Sequence, residues 1–132
     1  MIASVVSAVP LTLAGMGYEV HITRRTPWWE EEGELITTQE WAAVVAADST
    51  LEMVRVAQAS PRGQDAGLDY RHEWLAQMVT HPARDAHGAW LDWREGRVVV
   101  KNPDEVLLRK MREIAGVLGA RVQGEDGEHY DE

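Results

Sequence analysis

The chain has no cysteine and no phenylalanine among its 132 residues. Without a thiol there can be no disulfide framework, no cysteine nucleophile, no thiolate zinc site and no cysteine-ligated iron–sulfur cluster. The absence also agrees with a reducing compartment, and the chain is read as cytoplasmic. Without phenylalanine, aromatic packing falls to six tryptophans and three tyrosines. Positive charge is scarce too: 13 Lys and Arg stand against 22 Asp and Glu, a net charge of −9. A field of that sign repels phosphate backbones and anionic headgroups and draws basic partners inward. Nucleic acid and membranes are therefore not expected partners, whereas a basic protein is.

The most apolar stretch, MIASVVSAVPLTLAG (1–15), falls short of the roughly 20 residues that a membrane-spanning helix needs. It lacks the Lys or Arg that opens a secretory signal, and Pro10 interrupts it. Residues 1–15 read as an N-terminal extension or an alternative start. Residues 16–132 read as a single α+β domain with an acidic C-terminal tail, since the length and the 45% hydrophobic fraction fit one globular core.

Periodicity places the elements. YEVHITRR (18–25) alternates, with Tyr18, Val20 and Ile22 on one side and Glu19, His21 and Thr23 on the other, as in a half-buried strand. Thr37 and Glu40 match a capping box, Ile36 and Trp41 a hydrophobic staple, and Trp41, Val44 and Val45 an apolar helical stripe that should end near Asp48. LEMVRVA (51–57) predicts a second strand, YRHEWLAQMV (70–79) a third, and HPARDAHG a loop. AWLDWREGRVVVKN predicts a hairpin turning at Arg94-Glu95-Gly96. Asn102 then reads as the cap of a second long helix, with Pro103 in its first turn, Leu107, Met111, Ile114 and Leu118 as its buried stripe, and Gly119 as its stop. ARVQ predicts a short last strand before a solvated tail, GEDGEHYDE. The order gives a mostly antiparallel sheet with two helices packed on one face.

Catalytic motifs are missing. No GxSxG elbow, HExxH pair or phosphate-binding glycine loop occurs. Glu30, Glu31, Glu32 and Glu34 could attract a hard cation, but consecutive glutamates diverge and no calcium-loop spacing is present. His81, Asp85 and His87 are close in sequence without a zinc-site pattern. Arg24 and Arg25 read as local charge balance. No metal and no cofactor are expected. Trp28 and Trp29 stand apart, because adjacent tryptophans cannot both be buried in the same direction and tryptophan is enriched at binding hot spots.

The segments YEVHITR, ITTQEW, DWREGRVVVKNPDEVLLRKM and IAGVLGARVQGEDGEHY together resemble an uncharacterised family of small acidic bacterial proteins. No active site is established for that family, so the resemblance implies no catalytic residue. In class, such proteins are similar to the immunity proteins encoded beside bacterial polymorphic toxins.

These features lead to the expectation of a non-catalytic protein-binding module: an immunity protein that neutralises a cognate, basic toxin domain. Trp28, Trp29, Glu30, Glu31, Glu32 and Glu34 are its candidate partner-binding residues, with the acidic tail second. A different reading is a small enzyme or ligand-binding domain with a pocket around His21, His72 and Trp74. A third is a homo-oligomer subunit with a mainly structural role.

Overall fold

In the computed structural model, residues 18–58 and 69–130 are described; the expected extension at 1–15 and the loop at 59–68 lie outside them. β1 (Glu19–Thr23) is buried on both faces rather than one, because a loop covers the side that alternation assigned to solvent. Its inward residues, Val20 and Ile22, meet Val98 and Val100 of β7 (Arg97–Lys101) and Val122 of β8 (Arg121–Gly124) in one core. Together with β2 (Leu51–Met53), β5 (Leu75–Met78) and β6 (Trp90–Arg94), they form a six-stranded sheet ordered β2-β5-β6-β7-β1-β8, antiparallel throughout.

The β6–β7 hairpin expected from the sequence is formed, and it lies at the centre of that sheet. Glu95 (φ 52°) and Gly96 (φ 85°) occupy the left-handed region that a two-residue turn requires. α1 (Thr38–Ala47) and α3 (Glu105–Leu118) cover the same sheet face. Trp41 and Val45 of α1 and Leu107, Met111, Ile114 and Leu118 of α3 all enter the common core. The capping box is formed: Thr37 Oγ1 accepts from the Glu40 amide, and the Glu40 carboxylate accepts from the Thr37 amide. Gly119 ends α3 in the left-handed conformation.

Four local expectations are corrected. First, the strand over 51–57 is broken. Val54 and Arg55 both donate to the Leu75 carbonyl, and Arg55 takes φ 66°, a bulge that period-two alternation does not reveal. The facing run breaks at the matching place, where the His72 amide donates to Arg55 and the chain turns through Glu73 and Trp74. Beyond the break, β3 (Val56–Gln58) and β4 (Asp69–Arg71) pair as a separate ribbon. Second, the 81–88 loop contains one helical turn, α2 (Arg84–His87).

Third, α3 is capped by Asp104 rather than Asn102. The Asp104 carboxylate accepts from the Leu107 amide at 2.9 Å. Asn102 instead sits at φ 49° and holds the start of β1: its amide donates to the Tyr18 carbonyl and its side-chain oxygen accepts from the Tyr18 amide. Fourth, residues 125–130 are not a solvated tail. They turn back on β8, with the Tyr130 amide donating to Val122 and Arg112 Nε donating to the Tyr130 carbonyl.

Candidate functional site

The sheet face turned away from the helices carries the polar residues. Register aligns Gln123, His21, Val99, Asp92 and Leu75 in one row across five strands. A loop over residues 24–36 lies across one end of this face, and two arginines build it. Arg24 donates to both oxygens of Glu40, to the Leu35 carbonyl and twice to the Leu118 carbonyl at the end of α3. The bidentate contact, reinforced by the Thr37 amide, pulls the Glu40 carboxyl down to about 2. Arg25 turns inward and donates to the Glu30 and Gly33 carbonyls, gathering the loop around its guanidinium. The far end is pinned by the Ile36 amide to Gly96 and by Trp93 Nε1 to the Ile36 carbonyl. Arg24 therefore balances charge within the fold, as expected, whereas Arg25 pairs with backbone oxygens.

The loop separates the two tryptophans. Trp28 lies inward, its ring stacked on His21 at 4.0 Å and 15°, with the Arg97 guanidinium 4.7 Å from a Trp28 ring centroid. Its amide donates to Gln123 Oε1 and its indole nitrogen to the Glu125 carbonyl. His21 is fully buried beneath it. Arg97 Nε donates to His21 Nδ1 at 3.2 Å, which makes that nitrogen an acceptor and places the proton on Nε2, an atom with no partner. Burial, then the nearby Arg97 and Arg94 charges, lower the His21 pKa to about 3, so the ring is neutral at ordinary pH.

Trp29 points outward. It stands edge-on to Trp28 at 5.4 Å and is 52% exposed. Glu30, Glu31, Glu32 and Glu34 are all exposed around it, and none of them forms a salt bridge among the described residues. A cleft of about 320 Å³ opens between this loop and the β6–β7 turn. Trp28, Trp29 and Leu35 supply apolar wall, while Glu30, Glu31 and Glu95 supply carboxylates. Arg25 and Arg97 also line it, but with guanidiniums engaged as described. On the other side of Trp29 lies a broader groove of about 720 Å³, between Pro27, Arg121 and the folded 126–129 segment.

Five of the six sequence-selected residues are thus exposed, of which Trp29, Glu30 and Glu31 share the cleft, while the sixth, Trp28, packs inward in support of the loop. The pocket expected around His21, His72 and Trp74 does not assemble. Trp74 packs against the helix-side core, and its carbonyl accepts from Trp41 Nε1. His72 reaches the opposite face, where Nδ1 lies 2.6 Å from Asp92 Oδ1, and the β7 strand with Val99 stands between that pair and His21. Asp92 in turn faces Arg94, which reaches Glu19, so the pair belongs to a charge network across the sheet. His81 anchors α3 through Asp104 at 2.8 Å, and its Nδ1 accepts from the Ala83 amide. No group of three potential metal ligands occurs among the described residues.

No protein-family model, curated protein or solved structure matches this chain. Of the other residues lining the cleft, Arg25 was read from the sequence as local charge balance, and Glu95 and Arg97 were not selected as site residues. Glu95 and Arg97 flank the hairpin turn and carried only a turn signal; their approach to the 28–35 loop depends on strand register, which periodicity does not encode.

Proposed function

We propose that the chain is a non-catalytic protein-binding module that engages a basic partner through the 28–35 loop, and that it acts as an immunity protein against a cognate bacterial toxin. The observation that carries this reading is the exposure of Trp29 among four unpaired glutamates on a loop held in shape by Arg25. A loop ordered before binding loses little further entropy on association. An exposed indole offers a large apolar face to a partner's pocket, and the surrounding carboxylates steer a basic surface toward it. Neutralisation follows by steric and electrostatic occlusion: the acidic loop takes the place of an anionic substrate on the toxin.

Co-expression tests this directly. The reading frame beside its gene should encode a toxin domain, and the chain should rescue growth of cells producing that domain. The Trp29→Ala protein and the fourfold Glu→Gln protein at 30, 31, 32 and 34 should be folded and rescue poorly. Full rescue by both variants would remove the loop from the interface, and no rescue by the native chain would overturn the immunity reading.

A further inference from the structure

Within the protein-binding reading, we infer that the cleft between Trp29 and the β6–β7 turn receives a cationic side chain of the partner, an arginine stacked on Trp29 and paired with Glu30, Glu31 or Glu95. This deepens that reading and rests on it. The cleft has the two elements that recognise a guanidinium: an aromatic wall and carboxylates at its rim. Arg97 already meets Trp28 and Glu95, but the two resident cations leave the Trp29 ring and the Glu30 and Glu31 carboxylates without a cation among the described residues. Arg25 is turned to backbone carbonyls, and Arg97 is held by His21 and Trp28, leaving only a 3.5 Å contact to the mostly exposed Glu95.

The chain itself displays the recognition mode one residue away. Arg97 lies over Trp28, where a planar cation meets an indole in a partly buried setting. Trp29, perpendicular to Trp28, offers a second indole, and no cation is placed over it among the described residues. Arginine suits this site better than lysine, because a planar guanidinium stacks on the ring while its edge nitrogens reach a carboxylate, whereas an ammonium is a point charge. The volume of about 320 Å³ admits one such side chain rather than a helix or a strand. The broader groove beyond Trp29 is lined by Arg24 and Arg121 as well as Asp126, so it lacks the net sign that would favour the same ligand.

Titration of the full chain with hexaarginine, hexalysine and hexaglutamate, followed by the indole N–H resonances of the six tryptophans, tests the inference. Hexaarginine should shift the Trp29 indole signal most, hexalysine less and hexaglutamate not at all. Trp29→Ala should weaken hexaarginine binding about fivefold or more. Two triple variants with equal charge change separate the cleft from the general field. Glu30→Gln/Glu31→Gln/Glu95→Gln should weaken binding far more than Glu52→Gln/Glu73→Gln/Asp85→Asn. Equal weakening by the two triples, or no Trp29 shift with hexaarginine, overturns the inference. If the Trp29 signal stays still with the peptide but Trp29→Ala still abolishes toxin rescue, the arginine site falls and the protein-binding reading stands. If the peptide binds as described and the native chain rescues nothing, the reverse holds.

Discussion

Trp28 and Trp29 are chemically identical neighbours with opposite roles, and the division comes from what lies under the loop. Trp28 meets a fully buried imidazole, a guanidinium and two hydrogen-bond partners on the last strand and the segment after it. Truncating it uncovers His21 and removes the indole bond to the Glu125 carbonyl, while the backbone bond to Gln123 is kept. Trp28→Ala should therefore lower unfolding free energy by about 2 kcal/mol or more, whereas Trp29→Ala should stay within about 0.5 kcal/mol of the native chain; urea denaturation checks both. The sequence implied that the pair must split, but not which way, because two of the partners that hold Trp28, Gln123 and Glu125, are about 95 residues distant along the chain.

His21 supplies a pH test at the same scale. Its folded pKa of about 3 lies below the ordinary histidine value of 6.5, so below 6.5 the unfolded chain binds the proton and the folded chain does not. Stability attributable to His21 is present above pH 6.5 and is lost as pH falls toward 3. The interval from 6.5 to 5 isolates it from Glu40, whose lowered carboxyl titrates between 4.5 and about 2. The urea midpoint should fall across that interval in the native chain and fall less in His21→Leu. Equal slopes would mean that His21 is not the buried neutral group described. The strand alternation that placed His21 outward was right about the face; it missed the loop that covers the face.

At the level of elements, Arg24 joins three parts that no local pattern connects: the end of α3, the loop before α1, and the α1 capping box. Arg24→Ala leaves the Leu118 and Leu35 carbonyls without their donors and should cost about 1–3 kcal/mol in urea denaturation. A cost near zero would mean that water replaces the guanidinium. Asp104→Ala removes both the α3 cap and the acceptor of His81, and should cost at least about 1 kcal/mol; Asn102→Ala should act through β1 and leave α3 helicity unchanged by circular dichroism. The hairpin, the capping box, the α3 stripe and its Gly119 stop were legible because each is a short-range pattern with one physical cause. The start of α3 was not, since Asn-Pro-Asp offers two competent caps. Tyr18, 84 residues away, engages the first of them. The bend at Arg55 escaped for a similar reason: a bulge leaves the alternation of side chains on either side intact.

For the whole molecule, charge and architecture act together. The helices occupy one sheet face, and on the other face the 24–36 loop, tied down by Arg24, Arg25 and the Gly96 turn, presents carboxylates at one end. Among the described residues no helix is long and apolar enough to cross a membrane. The net charge of −9 and the glutamates following Trp29 were plain from the sequence, and the outward turn of Trp29 needed the structure. The direct measurement is stopped-flow association with the proposed basic partner, in a catalytically inactive form, as a function of salt. Exposed charges are screened beyond about 8 Å at physiological ionic strength, so the on-rate should fall steeply with salt in the native chain and only weakly in the fourfold Glu→Gln protein at 30, 31, 32 and 34. Trp29→Ala should keep the native on-rate and raise the off-rate about tenfold or more, as loss of a desolvated anchor does. An on-rate insensitive to salt and to the glutamates, with an off-rate unchanged by Trp29→Ala, would contradict the account.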